Sequence, residues 1–278
     1  MRIKNECYGC LKRQIRNVQK ITGATEEQYK EVADYIDSFP KDTRFAGTKA
    51  YNKIRELTGI RDPYKEIKRK DNELAFELLP KFKDELEGGQ DKFKFAVRVA
   101  IAGNIIDYGA PGYERLVERV EELLREPLLI DDVGEIKERV KNAKVLYIHD
   151  NAGEIVFDKL LIKELKKLDA NVTSVVRGAP AKNDALMEDA EFAKLASDRI
   201  ITTGTDHIGV SIEHASREFN EAFNNCDIVV SKGQGNLESL YGEGLKKPIA
   251  YLLTIKCMPV AKMLSVDRLG NIAMLVEG

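Results

Sequence analysis

The chain lacks several features that would each point to a particular class of protein. Its formal net charge is only -2, from 44 basic and 46 acidic residues, which excludes a globally basic nucleic-acid-binding protein. No apolar run approaches the ~18 residues that span a bilayer, and the first residues lack the apolar centre of a signal peptide. Four cysteines in 278 residues do not form the disulfide framework of a small secreted protein. These absences predict a cytoplasmic protein with neither a membrane nor a nucleic-acid partner, and they carry no signal for an oligomeric state.

The two halves of the chain have different patterns. Residues 1–142 carry helix caps and glycine stops, and they contain no convincing strand. From residue 144 onward, short apolar runs alternate with helical segments. The predicted strands are 145–148, 172–176, 199–202, 227–230, 248–254 and 272–276; the predicted helices between them are 155–168, 185–196, 209–223 and 236–241. This alternation predicts a parallel, doubly wound, Rossmann-like α/β/α sandwich. We therefore expect a helical N-terminal cap region, 1–142, packed on an α/β/α domain, 143–278, that carries the site.

Polar residues and glycines follow every predicted strand but the last. These strand ends are residues 149–154, 177–184, 203–207, 231–236 and 256–257. Because ligands bind outside the carboxyl ends of the strands in an open parallel sheet, this coincidence is the strongest functional signal in the chain.

The residue types at these strand ends indicate a site that binds a metal ion and a phosphate group. Asp150, Asn151 and Asp184 offer two carboxylates and an amide oxygen, which are hard ligands suited to magnesium, manganese or a similar divalent ion. Glycine turns before helices expose backbone amides that can hold phosphate oxygens. Three basic residues would supply positive charge at the same edge: Arg177, Lys232 and Lys256. A divalent ion with basic groups and free amides around it is suited to phosphoryl chemistry.

The same residues also have simpler interpretations, which stay open at this point. Asn151 with Glu154 three positions later is a variant of the capping box, and Asp184 resembles a plain N-cap. Capping does not require adjacent Asp and Asn, however, so one of that pair has a free side chain. Cys7-x-x-Cys10 is a single pair and weak evidence for zinc; a redox pair, a disulfide or two ordinary buried thiols are alternatives.

Six motifs occur in a specific order along essentially the whole chain. They lie at residues 7–14, 103–107, 150–154, 183–190, 231–236 and 256–257. In this combination they resemble the DUF89 family of metal-dependent damage-control phosphatases, and in particular its prokaryotic branch with an N-terminal Cys-x-x-Cys.

The resemblance implies a helical N-terminal region on an α/β/α sandwich. The family's metal ligands match Asp150, Asn151 and Asp184, and a lysine that contacts the phosphate matches Lys256. One motif from the helical half is inferred to reach over the pocket and contact substrate through two residues: Asn104 and Asp107.

The predicted function is a metal-dependent phosphatase that hydrolyses a small phosphorylated metabolite. The substrate would be a sugar phosphate, a nucleotide or a phosphorylated cofactor, and the cofactor Mg, Mn, Co or Ni. We expect Asp150, Asp184 and Lys256 to be catalytic, with a metal-bound water or, alternatively, Asp150 itself attacking phosphorus.

Three other interpretations are weighed. A haloacid-dehalogenase-type phosphatase needs an aspartate at position 152, where this chain has Ala152. A nucleotide- or S-adenosylmethionine-binding α/β domain would need a glycine fingerprint after the first strand. The last is a non-enzymatic metal-binding protein built on Cys7 and Cys10.

Overall fold

The computed structural model describes residues 4–41, 43–105 and 116–278. The helices before the first long strand are α1 (Asn5–Thr22), α2 (Glu26–Asp37), α3 (Ala46–Thr58), α4 (Lys65–Gly88), α5 (Lys92–Ala102), α6 (Leu116–Arg125) and α7 (Val133–Arg139). Local sequence explains several of their ends. Thr25 and Gln28 form a reciprocal capping box at the start of α2, and Gly59 ends α3 in the left-handed conformation.

The second half contains a sheet with helices after its strands. The strands are β1 (Ile130–Asp131), β2 (Lys144–Ile148), β3 (Asn171–Val176), β4 (Arg199–Thr202), β5 (Ile228–Lys232), β6 (Ile249–Ile255) and β7 (Gly270–Val276). The remaining helices are α8 (Glu154–Lys167), α9 (Met187–Ala193), α10 (Arg217–Asn225), α11 (Gly233–Leu240) and α12 (Met258–Met263). All six predicted strands are present.

The strand order is β1-β7-β6-β5-β2-β3-β4, and the central strands pair in parallel. The chain runs from β2 outward to β4 and then returns to the other side of β2 at β5. The direction of winding therefore switches between β2 and β5, which is where open α/β sheets bind their ligands.

Three sequence expectations are wrong in detail. The sheet is not wholly parallel, because β7 pairs antiparallel with β6. The first 142 residues do contribute a strand, since β1 pairs in parallel with β7 through Ile130 and Ile272. The helix expected at 209–223 is only α10, because Ser216 caps its start through the amide of Phe219.

The core has three parts among the described residues. One cluster joins α4 and α5 to α8 and one face of the sheet, and a second fills the opposite face under α10, α11 and α12. Helices α1, α2 and α3 enclose a smaller cluster of their own. The division at residue 142 stays a prediction. None of the helices in the described ranges has the length and apolar character of a membrane span.

Candidate active site

The loops that follow β2 and β3 are joined to each other by backbone hydrogen bonds. Asn151 and Asp184 form an antiparallel bridge, and the amide of Ala152 donates to the carbonyl of Asn183 at 2.9 Å. The amide of Ala185 donates to the carbonyl of Asp150 at 2.8 Å. Two segments separated by more than thirty residues are thereby fixed side by side, with the three predicted metal ligands at their junction.

Each of these three side chains keeps one oxygen with no hydrogen bond. Asp150 Oδ2 accepts from Asn151 Nδ2 at 2.9 Å and from Asn104 Nδ2 at 3.1 Å, and Asp184 Oδ2 accepts from Arg177 Nε at 2.7 Å. Among the described residues, no donor reaches Oδ1 of Asp150, Asn151 or Asp184. Three hard oxygen atoms therefore remain for a ligand.

A glycine at the start of α11 makes room for Asp150. Gly233 has a φ of +78°, and a Cβ at this position would lie 1.9 Å from Asp150 Oδ2. Any side chain at position 233 would therefore occupy the space of the carboxylate. The strand end after β5 and the strand end after β2 meet here, at the switch point of the sheet.

Burial and mutual repulsion act on the two carboxylates. Burial, together with the charges of Asp184 and Glu154, raises the pKa of Asp150 to about 7, against the lowering effect of Lys256 and Arg177. Burial also raises the pKa of Asp184, against the neighbouring Arg177 guanidinium. Two clustered carboxyl groups that resist ionisation gain most from a cation, which compensates both charges at once.

The side chains available to bind a metal ion at this junction offer only oxygen atoms. No group of three or more His, Cys, Asp or Glu side chains in the described ranges is arranged to hold a metal ion. The candidate set is instead two carboxylates and one amide. Magnesium is commonly held by one or two carboxylates with several waters and substrate phosphates, so this set fits such an ion.

Lys256 and Arg177 stand beside these oxygens in different ways. Lys256 is exposed at the end of β6, and its Nζ lies 3.5 Å from the carbonyl of Asn104. Arg177 is 1% exposed; its Nη2 donates to Asn236 Oδ1 at 2.7 Å, and its Nη1 is buried with no hydrogen-bond partner in the described part of the chain. Lys256 is therefore accessible to a substrate, whereas the role of Arg177 in phosphate binding stays a prediction.

The expectation that Lys232 contacts phosphate is wrong. Its ammonium group is fully buried and donates to the carbonyl of Ala100 at 2.8 Å, to Glu154 Oε1 at 2.6 Å and to Asp158 Oδ1 at 2.6 Å. An ammonium group has three protons, so none remains for a phosphate oxygen. Burial lowers and these two carboxylates raise the pKa of Lys232, with a net increase, so the group stays charged as their counter-ion.

The amides at the start of α8 are also engaged. Gly153 N donates to Asn72 Oδ1 at 2.7 Å, and Ala152 N donates to the neighbouring loop. These two amides are therefore not available to hold a phosphate oxygen. In contrast, α11 begins at Gly233 beside Asp150 with no side-chain cap, which leaves its first-turn amides to other acceptors.

The motif from the helical half reaches the site through one of its two residues. Asn104, in a 3-10 turn after α5, is 5% exposed and contacts Asp150. Asp107 lies outside the described residues.

The sequence motifs and this geometry agree with the comparisons to known proteins. The family model of the damage-control phosphatase ARMT1-like domain matches residues 3–272. The chain belongs to this family. A damage-control phosphatase of Archaeoglobus fulgidus is 38% identical over the full length of both chains. A second, of Pyrococcus horikoshii, is 35% identical over 96% of each chain.

A comparison with solved structures leads to the same family. The crystal structure of a DUF89 family protein from Pyrococcus horikoshii superimposes with a TM-score of 0.88 and 33% identity, covering 99% of each chain. The resemblance inferred from the motifs is thus confirmed, and so is the mixed α/β fold of a damage-control phosphatase.

Two residues of this damage-control phosphatase site were not assigned a role from sequence. Glu154 contacts Asn104, Asn151 and Lys232, whereas its position three residues after Asn151 predicted only a capping role. Asn72 lies in the middle of α4 and fixes the loop after β2 through Gly153. Glu154 and Asp158 stand four residues apart on either side of the apolar residues 155–157 of α8, which is a signal of a buried carboxylate pair. No pattern around Asn72 distinguishes it from a surface residue.

The cysteine pair lies in α1, and all four cysteines are free. Burial raises the pKa of Cys7, and Glu238, Cys257 and Cys10 raise it further. Gln14 Nε2 lies 3.3 Å from Cys10 Sγ. Cys257 is therefore near enough to Cys7 to raise the pKa of its thiol, and a raised thiol pKa does not favour a nucleophilic role for Cys7.

Proposed function

We propose that this damage-control phosphatase hydrolyses small phosphomonoesters with the help of a divalent cation. The observation that carries the proposal is the junction of the loops after β2 and β3, which leaves Oδ1 of Asp150, Asn151 and Asp184 together with no hydrogen-bond donor among the described residues. Membership of a phosphatase family supports the reaction type.

Different residues of the chain would bind the cation and the phosphate. Asp150, Asn151 and Asp184 would hold the cation, and the pocket beside Gly233 keeps Asp150 in place for it. When bound, a divalent ion neutralises phosphate charge and lowers the pKa of water, which is the chemistry that phosphomonoester hydrolysis needs.

Lys256 would bind and orient the phosphate. Its ammonium group is at the open edge and close enough to Asp150 to lower the pKa of that carboxyl. The uncapped first turn of α11 provides a second donor surface beside Asp150. Arg177 keeps Asp184 oriented through a 2.7 Å hydrogen bond, which leaves Asp184 Oδ1 for the cation.

The substrate class is a small phosphorylated metabolite, such as a sugar phosphate, a nucleotide or a phosphorylated cofactor. The test is hydrolysis of p-nitrophenyl phosphate and of a panel of such compounds with Mg, Mn, Co or Ni, and then with EDTA. We expect activity that requires an added metal and that is lost in Asp184→Ala. Activity that persists after complete chelation, or in Asp184→Ala, would refute the metal assignment.

A further inference from the structure

Two asparagine amides beside Asp150 are oriented by the same pair of carboxylates. Asn104 Nδ2 donates to Glu154 Oε2 at 2.7 Å and to Asp150 Oδ2 at 3.1 Å. Asn151 Nδ2 donates to Glu154 Oε2 at 3.1 Å and to Asp150 Oδ2 at 2.9 Å. Both amide nitrogens are therefore committed to carboxylates, and only the amide oxygens remain for other partners.

The free oxygen of Asn104 has a specific chemical preference. Asn104 Oδ1 is buried and accepts no hydrogen bond from any of the residues that the structure describes. An amide oxygen accepts hydrogen bonds or coordinates cations, and it repels the oxygens of a phosphate. Because Nδ2 is already engaged, Asn104 is suited to the cation side of the site rather than to direct phosphate binding.

Glu154 forms a buried ion pair with Lys232 on the side away from the two amides. Its Oε1 accepts from Lys232 Nζ, and Lys232 in turn donates to Asp158, all at 1% exposure or less. Asp158 accepts from the hydroxyl of Tyr147 at 2.9 Å and lies 2.7 Å from His149 Nδ1. The Glu154 carboxylate is thus fixed on one oxygen by Lys232 and presents the other to the two amides.

We propose that Glu154 is a positioning residue that sets the amide orientation of Asn104 and Asn151, so that their oxygens serve the cation. This inference rests on the proposed function, since it assumes the cation at Asp150. Without the Glu154 carboxylate, each amide loses one of its two acceptors and keeps only the hydrogen bond to Asp150 Oδ2. The amide is then less firmly oriented, and a rotated amide would present N–H groups to the cation. Groups that orient metal ligands typically contribute about 10–100-fold to metal affinity.

The test compares two Glu→Gln variants in the same helix. In Glu154→Gln the remaining carbonyl oxygen is held by Lys232, so the side chain presents an NH2 group instead of an acceptor to the two amides. Glu164→Gln is the matched control, because Glu164 is also buried in α8 at 6% exposure and paired with Lys167 at 2.7 Å, far from these amides in the helix. Binding of Mn²⁺ alone is measured by electron paramagnetic resonance of the free ion, and the folded state of each variant by thermal unfolding.

We expect Glu154→Gln to weaken Mn²⁺ binding about 10–100-fold and Glu164→Gln to leave it unchanged. We also expect saturating Mn²⁺ to restore most of kcat in Glu154→Gln, because the residue orients ligands without touching the substrate. Wild-type Mn²⁺ affinity in folded Glu154→Gln, or equal weakening in Glu164→Gln, would overturn the inference. If the wild-type protein binds no Mn²⁺, the proposed function fails first, so the two failures are distinguishable.

A second variant covers the case in which Glu154→Gln does not fold, because that change leaves Lys232 with one fewer counter-charge. The double variant Glu154→Leu/Lys232→Met removes one negative and one positive charge together, leaves no acceptor at position 154 and keeps Asp158 beside His149. It should fold and show the same loss of Mn²⁺ affinity. Wild-type affinity in the folded double variant would contradict the positioning role.

Discussion

Replacing Gly233 with alanine tests the geometry of the site at a single atom. The new Cβ would lie 1.9 Å from Asp150 Oδ2 and 2.2 Å from its Cγ, so the carboxylate must move. Its movement breaks the hydrogen bonds from Asn104 and Asn151, each worth about 1.5–3 kcal/mol to a charged acceptor. A left-handed φ of +78° costs a further ~1–2 kcal/mol for a residue with a Cβ. Because partial relaxation offsets some of this cost, we expect the free energy of unfolding to fall by about 3–5 kcal/mol.

The matched control is Gly242→Ala. Gly242 has nearly the same backbone angle, φ +77°, but a Cβ there meets nothing within 4 Å. Its substitution should cost only the backbone strain of about 1–2 kcal/mol and leave Mn²⁺ binding intact. Urea unfolding and Mn²⁺ titration of both variants separate the cost of backbone strain from the cost of the contact between the new Cβ and Asp150. If Gly233→Ala matches Gly242→Ala in stability and in Mn²⁺ affinity, the placement of Asp150 against Gly233 is wrong.

Four further predictions concern Lys256, the titration of Asp150, the binding of Mn²⁺ and the cysteines. Lys256→Gln should lower kcat/KM for p-nitrophenyl phosphate about 10–100-fold through loss of a charged hydrogen bond, whereas Lys262→Gln, on the exposed side of α12, should have no effect. Because folding raises the pKa of Asp150 from 3.8 to about 7, its neutral form stabilises the cation-free protein at low pH, and unfolding free energy should fall as pH rises from about 4 to about 7. Mn²⁺ binding near pH 6 should correspondingly release protons, seen as buffer-dependent heats in calorimetry; identical heats in buffers of different ionisation enthalpy would contradict this. Finally, unfolded protein without reductant should give four thiols with Ellman's reagent, since all four cysteines are free; two missing thiols would indicate a disulfide.

The sequence predicted the strands and the ligand-bearing loops because both have strong local signals. Buried parallel strands are short continuous apolar runs, and the polar residues that follow them must lie at one edge of the sheet. The two loops carrying Asp150 and Asp184 could therefore be placed together before any coordinates. Sequence gave no comparable signal for β1, which has two residues and exists only because Ile130 pairs with Ile272 across the chain.

The error at Lys232 has a different origin. A lysine after a buried strand is usually exposed, and its burial here depends on Glu154 and Asp158, which belong to a helix more than seventy residues earlier. The contribution of Asn104 and Asn72 is likewise set by the packing of α4 and α5 against α8, which local patterns do not specify. The loops of the site were thus predictable, whereas the side chains that hold them from other elements were not.

The most direct test of the account is an anomalous-difference map from crystals of this protein soaked in Mn²⁺. The account predicts a strong peak between the free side-chain oxygens of Asp150, Asn151 and Asp184, and no such peak in Asp184→Ala crystals. A map with no Mn²⁺ at this junction, or with the ion bound to other residues while activity still requires metal, would contradict the central claim.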